Sequence, residues 1–148
     1  MSFFEEVGKN QMFLTVFLAW LFAQTVKVII GVLREKRFNF RWFVGTGGMP
    51  SSHAATVSAL ATAVGLELGF SSIFFTIAFF FAFIIMFDAQ GARRQSGQQA
   101  GILNKIIEDI YHQEGIKQER LMELLGHTPI QVFIGAALGI VVSLIRYR

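Results

Sequence analysis

Two of the three histidines stand where a neutral imidazole could act on a phosphate group. His53 ends the sequence GTGGMPSSH, and His127 opens the sequence HTPI. In each place the residues predict the start of a helix, where free backbone N–H groups and the positive end of the helix dipole attract anions. A ring that is neutral near pH 7 can serve there as a nucleophile or as an acid and base.

The same helix starts also have a purely structural interpretation. Ser51 or Ser52 can cap the helix that contains His53, and Thr128 can cap the later helix. On that interpretation His53 is an interfacial side chain and HTPI is an ordinary helix start. Three glycines, the caps and a histidine coincide before the first of these helices, which favours an anion site there.

Four basic residues are candidates for holding phosphate oxygens. Lys27 and Arg34 are separated by close to two helical turns, so both lie on one stripe about 10 Å apart along the axis. A lysine deep in an apolar segment is costly, which favours a functional partner over snorkelling to the membrane surface. Arg93 and Arg94 suit bidentate phosphate recognition, or they anchor a membrane helix at its basic side.

Metal binding is the competing chemistry for three histidines and several carboxylates. The histidines show no i, i+3 or i, i+4 pairing and no HExxH motif, and no acidic residue stands beside His53 or His127. The chain has no cysteine, which excludes disulfides and thiolate ligands. His112, in EDIYHQ, is interpreted as a surface residue. We therefore expect no metal site and no other cofactor.

The elements that must carry these residues are membrane-spanning helices. The chain is 53% hydrophobic with 17 phenylalanines and 16% charged residues, which is too apolar for an ordinary soluble domain. A bilayer core about 30 Å thick needs roughly 17–25 apolar residues per crossing. We expect one all-α integral membrane domain over residues 1–148, a polytopic bundle with spans at about 12–33, 54–70, 71–87 and 129–145 and an extramembrane segment at 89–128.

Four crossings would place the loops at 34–53 and 88–128 on one membrane face. The other face would hold both termini and the turn at 67–72. The two loops carry nine Lys and Arg residues, against three on the opposite face. The positive-inside rule therefore predicts that the motif face is cytoplasmic. A bacterial-type inner or plasma membrane is the expected location. Within the second loop, helices are expected at about 103–111 and 119–125.

Two sequence motifs resemble those of the type 2 phosphatidic acid phosphatase superfamily. This superfamily includes vanadium-dependent haloperoxidases, and the likeness is closest to its short, divergent membrane branch. Lys27 and Arg34 match the motif K-x6-R-P, with Glu35 in place of the proline. Residues 50–53 match the motif P-S-G-H, with Ser52 in place of the glycine.

The third motif of the superfamily, S-R-x5-H-x3-D, is split in this chain. Arg93 or Arg94 would supply its arginine, and a long insertion separates them from His127. Residues 127–139 resemble the rest of the motif, with Gln131 where an aspartate is expected. Three motifs in order cover most of the chain, so the resemblance is specific although each motif alone is weak.

The resemblance implies a metal-free phosphoryl transfer in two steps. His127 would attack phosphorus and form a phosphohistidine, and His53 would protonate the leaving alcohol and then activate water. The substrate would be a membrane lipid phosphate, such as phosphatidic acid, phosphatidylglycerophosphate or a polyprenyl phosphate, and no nucleic acid partner is expected. The groups that would bind the phosphate are Lys27, Arg34, Ser51, Ser52, Arg93 and Arg94.

Gln131 is the most consequential departure from the family pattern. A glutamine can accept a hydrogen bond from the nucleophilic imidazole and so orient it, but it cannot stabilise an imidazolium by charge. Asp88 leaves the third predicted span at the same membrane level as His127. We therefore expect Asp88 to supply the missing negative charge.

Two other classes of function compete with a phosphatase. A catalytically silent membrane protein could use the same residues to bind anionic lipid or to scaffold an enzyme. A transporter or channel subunit would need broken helices in duplicated halves, and the sequence has none. Because four spans are fewer than the six of larger relatives, a homodimer is expected to complete the bundle.

Overall fold

The computed structural model describes residues 3–36, 48–111 and 127–148, without the side chains of residues 92–96 and 108–111. All regular elements in these residues are helices, which confirms the all-α prediction. In chain order they are α1 (Phe3–Lys9), α2 (Gln11–Glu35), α3 (Ser52–Leu68), α4 (Ile73–Gln90), α5 (Ala92–Tyr111) and α6 (Pro129–Arg146).

The helix α3 lies at the centre of the bundle and contacts α2, α4 and α6. Its buried residues are mostly alanine and serine, whose small side chains let neighbouring backbones approach closely. The largest apolar side chains point outward, and Phe74, Phe80 and Phe83 are each more than half exposed. A core of small residues with phenylalanines outside is the pattern of a bundle that has lipid as its solvent.

Three helices, α2, α4 and α6, are long and apolar enough to cross a membrane. The fourth expected crossing, α3, has 17 residues, which is the lower end of the usual span length. Both of its ends are level with the ends of α6. At one end the Ser51 N–H donates to the Gln131 carbonyl (3.0 Å), and at the other the Tyr147 hydroxyl donates to Glu67 (2.6 Å). The helix α3 therefore traverses the same layer as its neighbours.

A strip of small residues on α6 allows its close approach to α3. Gly135, Gly139 and Ser143 are spaced four apart, so they lie on one face of the helix. A Cβ on either glycine would collide with a backbone carbonyl oxygen of α3. The Ser143 hydroxyl donates to the carbonyl oxygen of Ala59 (3.0 Å). These contacts hold α6 in a fixed register along α3.

The helices alternate in direction, which brings the predicted site residues to one end of the bundle. There the end of α2, the starts of α3 and α6 and the end of α4 meet, and the His127 N–H donates to the Ala89 carbonyl (3.1 Å). We call this the motif end. At the opposite end, the Gln11 side chain donates to the Arg146 carbonyl (3.2 Å). Partial burial and the Glu67 carboxylate raise the pKa of Tyr147 to about 12, so its phenol stays a hydrogen-bond donor.

The region after the third span differs from the sequence prediction. The helix α4 continues to Gln90, because Ala89 is buried against Ala54 and Val132 and extends the packed interface. The helix α5 then begins at Ala92 rather than near residue 103, and among the described helices it contacts only α4. The expected helix at 119–125 and His112 lie outside the described residues.

Candidate active site at the motif end

The starts of α3 and α6 lie side by side at the motif end. Ser51 is the N-cap of α3, and its hydroxyl accepts from the Ala54 N–H (3.4 Å), while Ser52 is the first residue of the helix. The hydrogen bond from the Ser51 N–H to the Gln131 carbonyl (3.0 Å) joins the two starts directly. Two positive helix termini therefore converge, which favours an anion between them.

The two histidines of the motifs are neighbours in space. The ring centroids of His53 and His127 lie 5.9 Å apart, with an angle of 60° between the ring planes. His127 is 2% exposed, and His53 is partly buried in the first turn of α3. The backbone of His127 is held by the Ala89 carbonyl at the end of α4. The two imidazoles are therefore close enough to act on one phosphate group, although the Nε2 atom of His127 is buried.

Gln131 determines which nitrogen of His127 carries the proton. Its Oε1 atom lies 3.0 Å from the backbone N of Thr128 and 3.3 Å from Nδ1 of His127. Because a backbone N–H can only donate, the Gln131 atom that faces it must be the amide oxygen, an acceptor. Nδ1 of His127 then has to be the donor. In the neutral ring this leaves the lone pair on Nε2, the nitrogen that a nucleophile needs.

Lys27 lies inside the bundle and does not snorkel to its surface. It is 6% exposed, and its aliphatic stem lies against Gly48, just before the start of α3. Gly48 has a φ of +81°, and a Cβ there would stand 3.3 Å from the Lys27 Cγ. Only glycine suits both the backbone conformation and this contact. The lysine is thus positioned beside the helix start that carries His53.

The other predicted residues are at the same end but are less closely joined. Arg34 is exposed in the last turn of α2. Asp88 is partly buried and immediately precedes Ala89, whose carbonyl holds the His127 backbone. Arg93 and Arg94 lie in the first turn of α5, and their side chains are outside the described part of the chain. Their assignment as phosphate ligands stays a prediction.

A capping box, which was not predicted from the sequence, stands at the start of α6. The Thr128 hydroxyl accepts from the Gln131 N–H (3.4 Å), and the Gln131 side chain accepts from the Thr128 N–H. The signal was present in the sequence, since T-x-x-Q is the spacing of a capping box. Gln131 therefore has two roles, as a cap and as the partner of His127. In the described ranges, no three His, Cys, Asp or Glu residues are grouped to hold a metal ion.

A helical membrane bundle with these motifs at one end defines a class of integral membrane protein related to the PAP2 enzymes. The chain belongs to the Divergent PAP2 family, which it matches over residues 8–142. It is 41% identical over 151 aligned residues to YuiD, an uncharacterized membrane protein of Bacillus subtilis strain 168. That alignment covers 95% of this chain and 96% of the relative. No solved structure matches the chain.

The comparisons confirm the family resemblance and the membrane location. They leave the cytoplasmic orientation of the motif end, the kind of membrane and the homodimer as predictions.

Proposed function

We propose that the protein is a metal-independent phosphatase that hydrolyses a membrane lipid phosphate through a phosphohistidine. The observation that carries this proposal is the geometry around His127. Its Nδ1–H is held by Gln131, its Nε2 has the lone pair, and the ring of His53 is 5.9 Å away. Family membership supports the same chemistry.

The two steps follow from the roles of the two rings. In the first, Nε2 of His127 forms a bond to phosphorus, the bond from phosphorus to the lipid oxygen breaks, and His53 gives its proton to the leaving alcohol. In the second, His53 takes a proton from water, the hydroxide attacks phosphorus, and the N–P bond breaks to release phosphate. One residue thus serves as acid and then as base.

The phosphate would be held by positive charge and backbone N–H groups. Lys27 is positioned beside the α3 start, and the N-termini of α3 and α6 supply dipoles that need no reorganisation during the reaction. Arg34 and either Arg93 or Arg94 are proposed to contact the remaining phosphate oxygens. A loose transition state for phosphoryl transfer is stabilised mainly by such positioned charges.

Turnover should persist in excess chelator and should be blocked by vanadate. The proposed site uses cations and N–H groups where other phosphatases use a metal, and vanadate can adopt the five-coordinate geometry of the transition state. The measurement is phosphate release from a panel of lipid phosphates in detergent, with and without chelator. Loss of activity in chelator that a divalent ion restores would show that the mechanism is wrong.

Asp88→Asn should lower turnover strongly while the protein stays folded. We propose that Asp88 supplies the negative charge that Gln131 lacks, because it lies at the end of α4 where the His127 backbone is held. Adding Gln131→Asp should then restore part of the rate. Steady-state kinetics of the single and double variants test the idea, with gel filtration as the check on folding. Unchanged kinetics in Asp88→Asn would show that neutral orientation by Gln131 is sufficient.

One observation favours a second candidate, a silent protein that binds anionic lipid. Nε2 of His127 is buried, so a phosphate can reach it only after neighbouring groups move. A protein that only binds lipid would bind the lipid phosphates of the panel without hydrolysing them. Measuring phosphate release therefore distinguishes the two candidate functions.

A further inference from the structure

The helix α5 begins at the boundary of the hydrocarbon layer. The preceding helix, α4, has 18 residues and is about 27 Å long, close to the bilayer core of about 30 Å. Its outward-facing apolar surface continues to Phe87, which is 71% exposed about one turn before the helix ends. Gly91 then departs from helical geometry (φ −90°, ψ −83°), and α5 starts at the next residue. The start of α5 is therefore placed at the level where lipid meets water.

Apolar side chains line one face of the second half of α5. Ile102, Leu103 and Ile106 are neighbours on the helix surface, and each is between 48% and 59% exposed. We call these three residues the apolar strip. Lys105 is exposed on the other side of the helix, because a step of two residues from Leu103 turns an α-helix by about 200°. Nearer the start of α5 the strip is interrupted by the exposed Gln99.

The helix α5 does not bury this strip by crossing the bilayer or by packing on the described bundle. Its sequence is ARRQSGQQAGILNKIIEDIY, and it is not among the three helices that are apolar enough to span a membrane. Among the described helices it contacts only α4. A helix with one apolar and one polar face is stable in the plane of a membrane surface, with the apolar face buried about 5–10 Å deep. In that position the strip continues the lipid-facing surface of α4.

We infer that α5 lies along the membrane surface at the motif end, with the apolar strip in lipid and Lys105 towards the water. The partner of this surface is the bilayer itself. The inference goes beyond the proposed function and does not depend on it, because it uses no phosphate chemistry. It has a geometric consequence, since the first turn of α5 contains Arg93 and Arg94. A helix anchored along its length keeps that turn at the level of the lipid headgroups.

Spin labelling tests this placement, because the chain has no cysteine and each labelled site needs one substitution. Leu103→Cys and Lys105→Cys are a matched pair, since they lie at nearly the same position along α5 but on opposite faces. The full-length labelled protein is placed in nanodiscs of phosphatidylcholine. Collision rates of each label are measured with oxygen, which concentrates in lipid, and with a neutral nickel chelate, which stays in water. Phe83→Cys, on the exposed face of α4, is the reference for a site in lipid.

The ratio of oxygen to nickel collisions should be several-fold higher at Leu103 than at Lys105 and should approach the ratio at Phe83. A second pair of substitutions, made in the Leu103→Cys chain, probes the strip itself. Ile106→Gln should lower the ratio at Leu103, because burying an amide in lipid is costly. Lys105→Gln is the matched control on the polar face and should leave the ratio unchanged. Circular dichroism checks that each variant is folded, and Ile102→Cys gives the same readout if Leu103→Cys is not.

Two results would overturn the inference. Frequent nickel collisions at both Leu103 and Lys105 would place α5 in water, away from the membrane. A label at Leu103 that neither reagent reaches would mean that protein covers the strip, either residues 112–126 of the same chain or a second copy. Magnetic broadening between labels on two chains would identify the second copy.

Discussion

Replacing His127 with alanine should lower phosphate release by about three orders of magnitude or more, the usual scale for removing a nucleophile. The alanine variant has no nitrogen to form the phosphoenzyme, and neither His53 nor any helix dipole can replace that bond. The side chain is buried beside Gln131, so its removal also leaves a small cavity. Stability must therefore be measured together with the rate.

His112→Ala is the matched control for this experiment. His112 is interpreted from the sequence as a surface residue, so its alanine variant should keep near-normal turnover. Radioactive phosphate from a labelled lipid phosphate should be trapped on the wild-type protein in an acid-labile, base-stable form. That label should be absent from His127→Ala and present on His112→Ala. Near-normal turnover of a folded His127→Ala protein would refute the assignment of the nucleophile.

His53→Ala should have a smaller but still large effect. General acid and base catalysis contributes typically 10²–10⁴-fold, so the loss should fall in that range. The loss in kcat/KM, which reports the first step, should be smallest for a substrate with a good leaving group, because such a group needs no protonation. This pattern distinguishes an acid from a residue that merely packs against His127.

The helix starts and the end of the bundle at which the motifs lie could be predicted from short stretches of sequence. The caps at Ser51 and Thr128 depend on side chains within three residues of the N–H groups that they satisfy. The grouping of both histidines at one end followed from the alternation of apolar spans. Neither inference needed a contact between residues distant in the chain.

Other features depended on such distant contacts and could not be predicted. The contact of Lys27 with Gly48 joins the interior of one helix to the residues before the next. The extension of α4 to Gln90 depends on burial of Ala89 between α3 and α6, because its own polarity pattern would end the helix earlier. The tautomer of His127 follows from the hydrogen bond that the Thr128 N–H donates to Gln131, and it depends on the rotamer of the Gln131 side chain, which the sequence does not specify.

Gly139→Ala should destabilise the bundle and lower its thermal unfolding midpoint. A Cβ at this position would collide with the carbonyl oxygen of Ala55 and would lie 2.9 Å from the backbone N of Ala59. These are backbone atoms of a packed helix, so they cannot rotate away as a flexible side chain could. Overpacking of this kind typically costs about 1–3 kcal/mol, more than the helix-propensity gain of up to about 1 kcal/mol from replacing glycine.

Gly8→Ala is the matched control, because the same substitution in α1 meets nothing within 4 Å. It should leave the unfolding midpoint unchanged or raise it slightly. Both variants are compared with the wild type by circular dichroism in the same detergent. Equal midpoints for Gly139→Ala and the wild type would mean that the close approach of α3 and α6 does not support the fold.

Gly135→Ala should lower turnover more than Gly139→Ala, even where the two variants lose the same amount of stability. A Cβ at Gly135 would collide with the Ser51 carbonyl oxygen. The N–H of the same residue, Ser51, donates to the Gln131 carbonyl and so joins the two helix starts. Separating these helix starts moves Gln131 and therefore the ring of His127 relative to His53. An active site needs its groups held within about 0.5 Å of their productive positions. A displacement too small to unfold the protein is therefore enough to slow the reaction. Rates measured well below the unfolding midpoints of both variants test this, and equal rates would show that the two helix starts position the histidines independently of this contact.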